Sequence, residues 1–195
     1  MTAGTGPRHH REPVTTLQRP PVRRSTLVRS DRAHTFEVFV ATIGAWWPVL
    51  PYSAGRERVR DVVVEARPGG RVHETWDDGT TVVWGELLVW DPPHRFVMTW
   101  TATPAPTEVE LTFAALGPAL TRVEVCHRGW EALSEAQLTE DCAQPGGYTS
   151  GAYGRGWSHI LGCFTTAAEA CGDRTTSAPT AREASCPRSS SSPTP

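Results

Sequence analysis

The sequence predicts an α+β fold: a curved antiparallel sheet of six to seven strands wrapped around a long C-terminal helix. Three observations predict it. Between Val59 and Arg128, strand-like runs alternate with turn signals and no helical periodicity intervenes, which is the pattern of a meander. Phe36, Phe39, Val40, Ile43 and Trp47 recur at helical spacing across 32–47. From Trp157 onward, Ile160, Leu161, Phe164, Ala168 and Cys171 fall on one helical stripe, and a sheet is what such a stripe needs to cover it.

Taken in order, residues 1–19 lack apolar periodicity, and residues 172–195 are Ser, Thr and Pro with little to bury. Both are expected to be disordered tails on a domain spanning 20–171. Pro21 to Arg29 reads as the first strand, with Val22, Thr26 and Val28 on one face and Leu27 off it. Ser30 or Asp31 can cap a helix over 32–47, which Pro48 ends by forcing Trp47 out of helical geometry. Pro51 to Gly55 reads as an irregular connection.

Strands follow at Val59–Ala66, Arg71–Trp76, Thr80–Trp90, Arg95–Thr101, Glu108–Ala114 and Thr121–Arg128. Pro68-Gly69-Gly70, Asp77-Asp78-Gly79 and Asp91-Pro92-Pro93 supply the turns. On the third of these strands both faces carry apolar residues. Trp84, Glu86 and Leu88 share one and Val83, Gly85 and Leu87 the other, so parity does not select the inner face. Trp84 and Glu86 face the same way unless a bulge intervenes. Ser134 to Cys142 has the Ser134/Gln137 spacing of a capping box. Gly146, Gly147, Gly151, Gly154 and Gly156 read as a loose lead, with the last helix beginning near Gly156. Stiffening Gly151 or Gly154 is expected to change access to a pocket and leave the fold intact.

Composition excludes several function classes. A net charge of −2 argues against a nucleic-acid footprint, and Asp31 and Glu37 offset the basic run Arg19, Arg23, Arg24 and Arg29. No apolar run is long enough to span a membrane, and the first residues lack the apolar core of a signal peptide. The five cysteines are odd in number and form no CxxC, so they read as free thiols of a cytoplasmic protein. No metal site is expected: His9-His10 lies in the tail, and His73 and Glu74 point apart on one strand. GxSxG and GxxxxGK[ST] are both absent, so no catalytic residue and no cofactor is assigned.

Eight tryptophans are the compositional outlier. Rings lining a cavity between the last helix and the sheet would bind flat, apolar molecules. Trp76, Trp84, Trp100 and Trp157 are the expected wall, with Trp47, Glu74, Leu161 and Phe164 completing the ligand-binding set. Glu74 shares a face with Val72 and Trp76 and could act as acid or base there. Its alternative is an exposed strand position beside an arginine. His127 shares parity with Val123 and Val125 and can point inward, either as an acid/base group or as a satisfied semi-buried histidine. His73 and His159 are expected in solvent.

Four motifs resemble the SRPBCC superfamily, in the branch named after the activator of heat-shock-protein-90 ATPase. They are Phe36-Glu37-Val38-Phe39 with Trp46-Trp47-Pro48; Pro68-Gly69-Gly70-Arg71 with Glu74; Gly85-Glu86-Leu87 with Asp91-Pro92-Pro93-His94-Arg95 and Thr99-Trp100; and Gly156-Trp157 with Leu161. Together they span about 22–171, and the stretch 131–155 is longer and richer in glycine than the family pattern. The resemblance implies the helix-grip (START/Bet v-like) fold and a pocket, without fixing one activity. The first expectation is therefore a binding protein for a small hydrophobic molecule. One alternative is a polyketide-cyclase-like enzyme using Glu74 and His127. The other is a co-chaperone-like module with a protein partner, which an exposed apolar patch on the outer face of the sheet would favour.

Overall fold

The computed structural model describes residues 18–176, so the expected disorder of the tails falls almost wholly outside the described residues. Seven strands form one antiparallel sheet in the order β1-β7-β6-β5-β4-β3-β2. They are β1 (Val22–Val28), β2 (Val59–Val64), β3 (Arg71–Trp76), β4 (Thr81–Asp91), β5 (Arg95–Trp100), β6 (Thr107–Gly117) and β7 (Leu120–Arg128). Helices α1 (Arg32–Ala41), α2 (Ile43–Trp46) and α3 (Val49–Tyr52) lie between β1 and β2, and α4 (Glu135–Asp141) and α5 (Ala152–Thr176) follow β7. The α+β helix-grip architecture is the one the sequence predicts. The sheet curls, and α5 lies on its inner face with Trp157, Ile160, Leu161, Phe164 and Ala168 buried.

Alternation sorts the strands. Val109, Leu111 and Phe113 on β6, and Val123, Val125 and His127 on β7, are buried toward the helices. Their sequence neighbours form the outer face, where Arg23 pairs with Glu124 at 2.9 Å and Glu110 accepts from Arg95 at 3.1 Å and Arg128 at 2.7 Å. Large exposed apolar residues on the strands are spread over β1, β4 and β6, as Leu27, Val83, Leu88 and Leu116. The outer face is thus a ladder of opposite charges.

Two bulges resolve the parity question on β4. In the β3–β4 ladder Gly85 pairs with Val72 and Val83 with His73, which leaves Trp84 as the extra residue. In the β4–β5 ladder Leu87 pairs with Met98 and Val89 with Val97, which leaves Leu88. Trp84 and Leu87 are therefore both buried, while Glu86 is exposed.

The expected helix over 32–47 is broken at Thr42 (φ −119°, ψ 18°). The Thr42 hydroxyl donates to the Val38 carbonyl at 2.8 Å, and α2 then turns onto β2. Gly44 permits that turn, since a Cβ there would lie 2.1 Å from Asp61 Oδ1. Asp31 is the N-cap of α1, accepting from the His34 N–H at 3.0 Å, and Ser134 and Gln137 form the capping box of α4.

The start of α5 differs from the expectation. The helix begins at Ala152, straight after a π-turn over Gly147–Gly151, and it runs past 171 to Thr176. The glycines here serve close approach. A Cβ on Gly154 would lie 2.2 Å from the Thr149 carbonyl oxygen and 2.4 Å from the Arg24 guanidinium. That guanidinium reaches from β1 to donate to the carbonyls of Gly154 and Thr149, both at 3.0 Å. Alanine at 154 would therefore displace this clamp. Arg19 donates to the carbonyls of Trp130 and Leu133, and with Arg23 on Glu124 and Arg24 on α5, three of the four arginines of the basic run serve the fold.

Candidate functional site

Four tryptophans from four elements meet where α5 crosses the sheet. Trp47 is the extended residue between α2 and Pro48, Trp84 sits at the β4 bulge, Trp100 ends β5, and Trp157 lies in the second turn of α5. Their rings close on one another: Trp47–Trp84 at 4.7 Å, Trp84–Trp100 at 6.1 Å, Trp100–Trp157 at 5.5 Å and Trp157–Trp47 at 6.4 Å between centroids. A cavity was expected between helix and sheet. The rings fill that space instead, leaving a void of about 20 Å³.

Three of the rings, Trp47, Trp100 and Trp157, also form the floor of a larger pocket of about 590 Å³ on the other side. Its walls are Tyr52, Tyr153 and Ile160, and Asp141, Gln144 and Arg155 stand at its rim. The mouth lies between the segment after α3 and the first turns of α5. Gly156 keeps that mouth narrow, since a Cβ there would come within 3.2 Å of the Tyr52 ring. A recess of about 420 Å³ beside α4 is lined by Arg19, Glu135 and Thr139 among others and has no tryptophan on its walls.

Behind the floor, His127 is fully buried and both ring nitrogens are engaged. The Trp157 indole N–H donates to Nδ1 at 3.2 Å, so Nδ1 carries the lone pair and Nε2 the proton. Nε2 therefore donates to the Thr107 hydroxyl at 2.7 Å, and that hydroxyl lies 3.1 Å from Thr103 Oγ1. Burial pushes the imidazole pKa down from 6.5 to about 3. The folded protein thus refuses a proton that the unfolded chain takes up. Stability from this group is complete above pH 6.5 and falls as the pH drops from 6.5 toward 3. The expected loss is about 1.4 kcal/mol by pH 5.5. Urea midpoints of wild type and His127→Gln at pH 7.5 and 5.5 check it. Wild type should lose more over that interval, and equal losses would show that His127 does not set the slope.

Glu74 is likewise fully buried. Its Oε1 accepts from the Gly55 backbone N–H and the Trp76 indole, both at 2.7 Å, and Oε2 accepts from the Trp84 indole at 3.1 Å. No arginine is involved and the position is not exposed, so the surface alternative does not hold. Gly55 is required for this contact, because a Cβ there would meet Trp76 Nε1 at 2.2 Å. One carboxylate side chain thereby ties the loop before β2 to two strands and orients Trp84, which backs the floor of the pocket.

The structure brings Trp47, Trp100 and Trp157 together at the pocket and places Trp84 one ring deeper, at the void. Trp76 stands apart, half-buried beneath the Arg58 guanidinium at 3.9 Å. Leu161 and Phe164 pack in the core, and neither Glu74 nor His127 lines the pocket. His159 is exposed, while His73 is half-buried with Nδ1 enclosed. Among the described residues, no cluster of three His, Cys, Asp or Glu side chains is placed to hold a metal, and no helix is long and apolar enough to cross a membrane. Sequence reasoning missed Tyr52 and Ser53, which lie in the stretch read as an irregular connection. Tyr153 was detectable, four residues before Trp157, once the helix is known to start at Ala152.

One feature of the pocket is unusual. The indole nitrogens of Trp47 and Trp100 and the hydroxyl of Ser53 are buried without a hydrogen-bond partner, and all three side chains line it. Buried polar atoms are otherwise nearly always paired.

No curated protein matches the chain in sequence. Solved structures do. An anthrahydroquino-gamma-pyrone synthase, Txn09, is 30% identical, with 77% of this chain and 97% of that one covered, at a TM-score of 0.49. CalC, a self-sacrificing resistance protein of Micromonospora echinospora, is 25% identical over 77% of this chain and 95% of its own, with a TM-score of 0.54. SA2116 of Staphylococcus aureus, at 13% identity, 78% and 95% coverage and a TM-score of 0.55, shares the fold. The first-helix aromatics and the strands that carry Glu74, Trp84 and Trp100 all fall within residues 36–150, which match the family model of the Activator of Hsp90 ATPase homolog 1-like proteins, and the chain belongs to that family.

Proposed function

We propose that this protein binds a flat, largely apolar small molecule in the tryptophan-floored pocket, and that it holds the molecule without transforming it. The observation that carries the reading is the pocket itself. At about 590 Å³ it has the volume of a small-molecule site, and its floor is three indole rings from three separate elements. Aromatic floors favour stacking of planar ligands. Binding without catalysis is supported by the placement of Glu74 and His127, whose polar atoms face protein partners behind the floor. The free thiols Cys126, Cys142 and Cys163 fit a cytoplasmic setting. A protein-binding role has less support, because the outer face carries paired charges rather than an apolar patch.

Titration with planar aromatics, followed by intrinsic tryptophan fluorescence, tests the proposal. Ala54 lines the mouth and is exposed. Ala54→Trp should plug the mouth and weaken binding by roughly tenfold or more, about 1.4 kcal/mol, with an unchanged circular dichroism spectrum. Undiminished binding by that variant would place the ligand elsewhere.

A further inference from the structure

We infer that the ligand of this pocket is a neutral aromatic ketone or a related planar carbonyl compound, whose oxygen accepts from up to two of the three unpaired donors of Trp47, Trp100 and Ser53. This inference rests on the pocket reading above and adds the polar chemistry of the ligand. Among the described residues six side chains carry a buried polar atom without a partner, and three of the six line this one pocket. Two of those atoms are indole N–H groups, which can only donate, and the third is a hydroxyl, which can donate. The three side chains are 6%, 8% and 5% exposed, so their desolvation is already complete. A ligand that brings an acceptor recovers it, whereas a hydrocarbon or an acyl chain leaves the donors bare.

Charge points the same way. One cation and one anion, Arg155 and Asp141, line the pocket, both at its rim. Arg155 donates to the Pro145 carbonyl at 2.8 Å, and its charge and that of Asp141 sum to zero, so the pocket lining carries no net charge to select a charged ligand. A carbonyl oxygen has two lone pairs and can accept from two donors at once. Both indole nitrogens are closed off from bulk water, so reaching them takes a turn of the rings. Trp47 and Trp100 border the pocket of about 590 Å³, and the room for such a turn lies on that side.

Matched ligand pairs separate this inference from the reading beneath it. 9-Fluorenone and fluorene share a planar frame and differ in a carbonyl against a methylene, as xanthone and xanthene do. Each is titrated into the ¹⁵N-labelled protein while the tryptophan indole N–H signals are followed. The signals are assigned through Trp47→Phe and Trp100→Phe, or by resonance assignment of the wild type if either variant fails to fold. The ketones should bind roughly tenfold or more tighter than their methylene partners, and should move the indole proton of Trp47, of Trp100 or of both downfield. Ser53→Ala should narrow the preference. Equal affinities with unmoved indole signals would overturn the acceptor inference and leave the pocket reading standing. If no member of either pair binds, both fall together.

Discussion

Replacing Trp157 with alanine is expected to cost about 3–5 kcal/mol, as for other buried tryptophans. The ring is 4% exposed and is the element of α5 that touches both the tryptophan ring set and His127. Removing it opens a cavity at the centre of the helix–sheet contact. It also leaves His127 Nδ1 without its donor, a second penalty of roughly 1–3 kcal/mol whose overlap with the first keeps the sum below simple addition. For a domain of this size the melting temperature should fall by roughly 10 °C or more. Trp157→Phe divides the effect. It keeps an aromatic ring and removes the pyrrole part of the indole with its N–H, so it should cost less than the alanine variant. A thermally neutral Trp157→Ala would mean that the stripe of α5 does not face the sheet.

The second large effect is expected at Glu74. Glu74→Ala leaves the Gly55 N–H and the indoles of Trp76 and Trp84 without acceptors, those of Gly55 and Trp84 being buried and that of Trp76 half-buried. Each stranded donor costs about 1–3 kcal/mol, and breaking a buried charged or polar hub typically costs about 3–5 kcal/mol in total. Glu74→Gln keeps the shape and one acceptor oxygen. Its amide group would still set a donor against a donor, so a smaller loss is expected. Chemical denaturation of the two variants gives the order wild type, Gln, Ala. A reversal, or an alanine variant as stable as wild type, would show that the three contacts do not hold the loop before β2 to the sheet.

Much of the fold was legible because its signals are local. The strand boundaries follow from turn residues, the α4 cap from Ser134 and Gln137, and the stripe of α5 from the spacing of Trp157, Ile160, Leu161 and Phe164. The misses share a different physical origin, since each depends on contacts distant in sequence. Strand parity left the inner face of β4 open because bulges at Trp84 and Leu88 reset the alternation, and a bulge is set by the neighbouring strand. The glycines before α5 were read as slack, yet Gly154 and Gly156 exist so that Thr149, Arg24 and Tyr52 can come close. Glu74 was singled out correctly as unusual, but its partners lie on a loop and on a neighbouring strand as well as its own. Counting tryptophans suggested an aromatic-lined interior. It did not reveal that four of them would fill that interior against each other and move the open space to the other side of Trp47, Trp100 and Trp157.

The placement of a bound ligand is the most direct test of the central claim that these three rings are the floor of a binding site. Intermolecular nuclear Overhauser contacts between bound xanthone and the protein measure it. The account predicts contacts to the ring protons of Trp47, Trp100 and Trp157, with Tyr52 and Tyr153 at the sides. Contacts confined to the charged outer face of the sheet, or to the recess beside α4, would contradict it.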